Sequence, residues 1–100
     1  MDKSFLDETT RVLTEFAGTK FSAQVLEVQG PVQEGSNYRW RIVSNRYKEV
    51  SVLLATKKPL FGKPAPTGYE VYGLGETRVV KPTTKDLQDC LAEAELVPVR

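Results

Sequence analysis

The amino-terminal part of the chain places its apolar residues with the period of an α-helix. One helix face would collect Phe5, Leu6, Thr9, Val12, Leu13 and Phe16, which follow the spacing of three and four residues. Asp2 or Ser4 can cap the start of this helix, and Gly18 is suited to end it in a left-handed conformation. The pattern therefore predicts an amphipathic helix that ends near Gly18.

The middle of the chain changes to a period of two. This period is clearest where Tyr38, Trp40 and Ile42 are separated by Arg39 and Arg41. Successive side chains of a strand point to opposite faces of its sheet. We therefore expect a strand with one largely aromatic face and one cationic face.

Other short segments are typical of strands and of the connections between them. The predicted strands are residues 21–26, 49–56, 69–72 and 77–81, and the predicted connections are residues 30–37, 45–48 and 57–68. The last connection contains three prolines and two glycines, which remove amide donors and interrupt regular structure. It is therefore predicted to be a long loop.

A second helix is predicted near the end of the chain. Thr83 and Asp86 have the spacing of a capping box. The residues that follow mark one apolar helix face: Leu87, Cys90, Leu91 and Ala94. Pro98 limits the far end of this helix.

These elements predict one α+β domain over residues 1–100. An amino-terminal helix is followed by a four- to five-stranded, mostly antiparallel meander and then by a carboxy-terminal helix. Both helices need an apolar surface to cover, so we expect them to pack on the sheet face that carries Tyr38, Trp40 and Ile42. The opposite face would then present Arg39 and Arg41 to solvent.

Composition restricts the chemistry that this domain can perform. The chain contains one cysteine and no histidine, so an internal disulfide is impossible, and the usual general base and nitrogen metal ligand are missing. We expect no catalytic residue, no metal and no cofactor, and therefore a protein that is not an enzyme. No apolar run approaches the length of a membrane span, and the first residues do not resemble a signal peptide. The sequence therefore predicts a cytoplasmic protein without a membrane partner.

Charge is distributed unevenly along the chain. Residues 36–81 contain nine basic and three acidic residues, whereas the segments on either side are acidic and the net charge is only +1. A polarised charge distribution attracts partners of opposite charge. The predicted partner-binding residues are Arg39, Arg41, Arg46, Tyr47, Lys48, Lys57, Lys58, Leu60, Phe61 and Lys63.

These residues favour a binding module of the adaptor, assembly-factor or inhibitor kind, which engages an acidic protein surface. The alternative is a protein that binds single-stranded nucleic acid or RNA with the same cations. Association of the chain with itself, acidic side to basic side, is a further option. For each arginine the plain alternative is a solvated strand face that prevents aggregation.

Leu60 and Phe61 have two possible environments in the long loop. We expect them to fold back onto the core of the protein. If they are exposed instead, Phe61 is the best anchor for a protein partner, because it is large and loses little side-chain entropy when it is fixed.

Overall fold

Two helices and five strands make up the described part of the chain, in the order that the sequence predicts. The structure is a computed structural model that describes residues 2–20 and 25–99. The elements are α1 (Lys3–Lys20), β1 (Val25–Glu34), β2 (Asn37–Ser44), β3 (Val50–Lys57), β4 (Ala65–Tyr72), β5 (Arg78–Val80) and α2 (Thr84–Glu93). The predicted α+β class is confirmed.

The five described strands form one sheet in which each strand pairs with the next. The order across the sheet is β1-β2-β3-β4-β5, and all four pairings are antiparallel. The predicted meander is therefore confirmed. Its register places Trp40 opposite Val52, and Val52 opposite Val71, so these three side chains share a face.

Both helices cover this face, which we call the helix face. Trp40 and Ile42 of β2 are fully buried. They belong to the same apolar cluster as Leu13 of α1 and Leu87 and Leu91 of α2. The predicted packing of both helices on the face that carries the aromatic residues of β2 is confirmed.

The helix ends agree with the sequence at both starts and differ from it at the end of α1. Asp2 accepts a hydrogen bond from the backbone N–H of Ser4 at 3.0 Å, and Thr83 accepts one from the N–H of Asp86 at 3.1 Å. The exception is Gly18, which does not end α1, because the helix continues to Lys20. Gly18 is exposed, and nothing lies within 4 Å of the place where a Cβ would stand. Its only penalty is therefore its weak helix propensity, about 1 kcal/mol, which the helix tolerates.

Two strands are longer than predicted. β1 runs from Val25 to Glu34 through the cis peptide bond between Gly30 and Pro31, in a region that the sequence predicts to be a turn. β4 begins at Ala65, inside the predicted loop, and Pro66 lies opposite Thr56 where the register shifts. Such irregular positions tolerate a residue without an N–H donor. The predicted strand residues 21–24 lie outside the described residues.

A buried polar contact fixes α1 to the sheet. The hydroxyl groups of Thr9 and Tyr69 lie 2.6 Å apart, and both residues are fully buried. The Thr9 hydroxyl donates to the carbonyl of Phe5 at 3.0 Å, so the Tyr69 hydroxyl is the donor to Thr9. The indole N–H of Trp40 also donates to Thr10 of α1, at 2.9 Å. These hydrogen bonds define the position of α1 more narrowly than apolar packing alone.

Removal of the hydrogen bond between Thr9 and Tyr69 should destabilise the fold. We expect Tyr69→Phe to lower the free energy of unfolding by about 1–2 kcal/mol, because the Thr9 oxygen loses its donor inside the core. Urea denaturation measures the difference. Tyr72→Phe is the matched control, since its hydroxyl bonds to Glu70 on the opposite face of the sheet, and we expect a change of about 0.5 kcal/mol or less. Equal effects of the two substitutions would contradict the role of the Thr9–Tyr69 contact.

The same contact predicts a pH dependence. Burial raises the pKa of Tyr69 from 10.0 to about 12, and the hydrogen bond with Thr9 opposes this shift. Between these pH values the unfolded chain has lost the proton while the folded chain retains it, so the free energy of unfolding falls as pH rises. The stability difference between wild type and Tyr69→Phe should therefore be complete below pH 10.0 and shrink between pH 10.0 and about 12. A difference that stays constant over that interval would be the contrary result.

Candidate binding site

The loop between β3 and β4 exposes two large apolar side chains. Leu60 is 91% exposed and Phe61 is 85% exposed. The prediction that both fold back onto the core is therefore wrong, and the alternative in which they are exposed is found. Pro59 lacks an N–H donor, and Gly62 has a φ of 102°, so the segment cannot continue either strand. We call residues 57–63 the Lys/Pro loop.

Three lysines flank these apolar side chains. Lys57, Lys58 and Lys63 are all exposed. Within the described residues, no carboxylate lies within 4.0 Å of their ammonium groups. The loop therefore combines an apolar tip with positive charge that is available to a partner.

The face opposite the helices is open, and it presents Arg39 and Arg41 as predicted. This open face is defined by the outward residues of the five strands: Gln29, Val32, Arg39, Arg41, Ser51, Leu53, Glu70, Tyr72 and Val79.

Both arginines of the open face are paired within the protein. Arg39 donates to Glu34 at 2.9 Å and to Ser51 at 2.6 Å, and only 23% of its side chain is exposed. Arg41 lies 3.9 Å from the carboxylate of Glu49, and half of its side chain is exposed. These contacts neutralise much of the positive charge that the sequence assigns to this face.

A second interaction between polar side chains lies on the open face beside the arginines. The hydroxyl of Tyr72 donates to the carboxylate of Glu70. This hydrogen bond holds the pKa of Tyr72 above its usual value, and the nearby guanidinium of Arg39 acts in the opposite direction. The open face therefore carries positive charge on β2 and negative charge on β4.

The predicted residues Arg46, Tyr47 and Lys48 lie at the other end of the sheet. The end of the chain pairs with them: the N–H of Lys48 donates to the carbonyl of Val97 at 2.7 Å, and Tyr47 is bridged to Pro98. Tyr47 is half-buried and packs against the core. Its ring is therefore not fully available to a partner, although the sequence predicts Tyr47 to be a partner-binding residue in the connection 45–48.

The length of β3 separates this end from the Lys/Pro loop. Its eight residues extend over about 23 Å at ~3.3 Å per residue. The structure therefore distributes the predicted binding residues over three places: the Lys/Pro loop, the open face and the far end of the sheet. Of these three places, the Lys/Pro loop has the most exposed apolar side chains, Leu60 and Phe61, and they lie beside lysines that have no ion pair in the described structure.

A groove between β5 and α2 offers a different kind of surface. It has a volume of about 530 Å³ and is lined by Arg78 and Lys81 on one side and by Asp86, Asp89 and Glu93 on the other. Cys90 lies in this lining and is buried. Among the described residues, no group of three or more potential metal ligands could hold an ion. The groove therefore presents basic side chains on one side and acidic side chains on the other.

Sequence reasoning missed the carboxylates that neutralise the open face. Glu34 directly precedes the two-residue turn at Gly35 and Ser36, Arg39 lies three residues after that turn, and the β1–β2 register brings the two side chains together. Recognising that short turn would have revealed the pair, but residues 30–37 resemble one long connection. Glu49 reaches Arg41 from the start of β3. The pairing of the chain end with residues 46–48 has no comparable signal in the sequence.

A scan against family models gives no match, and searches of the curated proteins and of the solved structures also give none. None of the helices in the described segments has the length and apolar character needed to cross a membrane.

Two leucines test the exposure of the Lys/Pro loop. We expect Leu60→Ala to change the free energy of unfolding by about 0.5 kcal/mol or less, because this side chain is 91% exposed. Leu54→Ala is the matched control, since Leu54 is fully buried in β3, and it should cost about 2–5 kcal/mol. Urea denaturation measures both variants. A large loss in Leu60→Ala would show that the loop packs on the core.

Proposed function

We propose that the protein is a non-enzymatic binding module, of the adaptor, assembly-factor or inhibitor kind, that engages an acidic protein surface through the Lys/Pro loop. The observation that supports this function is the exposure of Leu60 and Phe61, 91% and 85%, between lysines that have no ion pair in the described structure. Large apolar side chains at a loop tip are costly to leave in water and favour burial in a partner. We place the module in the cytoplasm, where a lone cysteine such as Cys90 stays reduced.

The two parts of the loop would act at different stages of binding. Full burial of Leu60 or Phe61 in a pocket contributes about 1.5–3 kcal/mol each, which slows dissociation. Lys57, Lys58 and Lys63 would accelerate the encounter with an acidic surface and orient the loop. Pro59 restricts the free loop, so less conformational entropy is lost when it binds.

The aromatic residues favour a protein partner over a nucleic acid. Proteins that bind single strands stack successive bases on several exposed aromatic rings. Among the described residues, Phe61 is the only exposed aromatic side chain, whereas Trp40 and Tyr69 are fully buried in the core. A single ring cannot form such a platform. The paired arginines of the open face also offer less charge to phosphates than the sequence suggests.

A capture experiment tests this proposal. The tagged protein is used to isolate partners from a lysate of its source cells, with and without nuclease, and each isolated partner is then titrated with purified variants. We expect one acidic protein to bind directly and independently of nuclease. Phe61→Ala should weaken this binding about tenfold or more, as expected for an anchor residue. Lys57→Ala/Lys58→Ala should slow association more than it accelerates dissociation.

A matched control and a nucleic-acid titration complete the test. Val99→Ala also truncates an exposed apolar side chain, 51% exposed, at the opposite end of the sheet, and it should leave binding unchanged. A labelled single-stranded oligonucleotide is titrated at two salt concentrations. Tight, steeply salt-dependent binding that is lost in Lys57→Ala/Lys58→Ala, together with capture that nuclease abolishes, would replace the protein partner with nucleic acid.

A further inference from the structure

One row of side chains crosses the open face from edge to edge with a symmetric pattern. The register aligns Val32 of β1, Arg39 of β2, Leu53 of β3, Glu70 of β4 and Val79 of β5. The apolar members stand at both edges and at the centre, and the two opposite charges lie between them. Val32 is 56% exposed and Val79 is 75% exposed, so both edges of the row present apolar surface to water.

This row is complementary to itself under one particular rotation. A two-fold axis parallel to β3 would lay β1 over β5 of a second copy, and β2 over its β4. Arg39 would then face Glu70 of the second copy, Leu53 would face its own equivalent, and Val32 would face Val79. The next row agrees with this arrangement, because the register aligns Arg41, Ser51 and Tyr72. Arg41 would then face Tyr72 of the second copy, and Ser51 would face its own equivalent. A guanidinium over a tyrosine ring is a favourable contact.

The other two-fold axis in the plane of the sheet is unfavourable. If the axis ran across the strands, Arg39 would face Arg39 and Glu70 would face Glu70. Like charges in direct opposition destabilise an interface. The order of charges along the row therefore selects a single orientation of the two copies.

We infer that the open face is the interface of a homodimer, in which two copies pack face to face about a two-fold axis parallel to β3. Such an isologous interface has the geometry of a β-sandwich, with sheets about 10 Å apart. This inference does not depend on the proposed function of the Lys/Pro loop.

The charged side chains of the open face can be buried in a dimer interface without losing their partners within the chain. A charge that is buried without a partner is strongly destabilising. Arg39 keeps its contacts with Glu34 and Ser51 when the face is covered, and Glu70 keeps its contact with Tyr72. The contacts across the interface would add to these pairs, so no charge is stranded.

The area of the open face predicts a moderate affinity. At ~4.8 Å between strands and ~3.3 Å per residue, one strand of ten residues, three of eight and one of three give a face of about 600 Å² per copy. The total of about 1,200 Å² is at the lower end of the range for stable interfaces. We therefore expect a monomer–dimer equilibrium that depends on concentration.

The dimer would place both Lys/Pro loops at the same end of the assembly, because the axis runs parallel to the strands. Two loops on one side can engage two copies of a partner, or two sites on one partner, at once. This bivalency raises the apparent affinity of a weak single contact.

Sedimentation velocity of the full chain over a range of concentrations tests the inference. The wild type should shift from monomer to dimer as concentration rises. Glu70→Arg opposes two basic side chains in the proposed interface, and Arg39→Glu opposes two acidic ones, so each should raise the dissociation constant about tenfold or more. An equimolar mixture of these two variants should associate again, because every opposed pair then has opposite charges. A structural role for Arg39 or Glu70 within one chain cannot produce this recovery.

A charge reversal outside the proposed interface is the control. Glu76→Arg makes the same change at an exposed position in the β4–β5 turn, and it should leave the equilibrium unchanged. If circular dichroism shows that Arg39→Glu does not fold, Leu53→Lys replaces it, because this substitution opposes two lysines at the axis and must also dissociate the dimer. A wild type that remains monomeric at its highest soluble concentration overturns the inference. So does a dimer that survives Glu70→Arg, or a mixture of folded variants that does not associate.

Discussion

The pleat of β2 is the constraint on which the rest of the structure depends. It sends Trp40 and Ile42 into a core that both helices cover, and it sends Arg39 and Arg41 to a face that neither helix covers. Because β3 and β4 continue the same alternation in register, the whole sheet has one buried and one open side. The hydrogen bond between Thr9 and Tyr69 then fixes the first helix over the buried side.

The two proposed surfaces follow from this division, and they differ in their physical character. The Lys/Pro loop extends from the paired end of β3, and within the described residues nothing buries Leu60 and Phe61 or forms an ion pair with the lysines. It therefore suits an acidic protein with an apolar pocket. The open face has charges that are already paired, and their order across the strands suits a second copy of the same face.

The sequence predicts those features that are encoded locally. The alternation around Trp40 identifies the two faces, and Thr83 with Asp86 identifies the start of α2. Gly18 misleads because a single glycine only weakly opposes a helix. The extension of β1 past Pro31 and the pairing of Arg39 with Glu34 both depend on strand register, which residue types alone do not determine. The exposure of Phe61 depends on whether the core has space for it, and this is a property of the whole fold.

Three leucines lie in three different environments of the molecule. Leu54 lies in the core, Leu53 lies on the open face and Leu60 lies at the tip of the Lys/Pro loop. A soluble paramagnetic agent broadens the methyl NMR signals of each leucine according to its access to solvent. In dilute protein, we expect strong broadening for Leu60, intermediate broadening for Leu53 and almost none for Leu54. A Leu60 signal that is as protected as that of Leu54 would contradict the account.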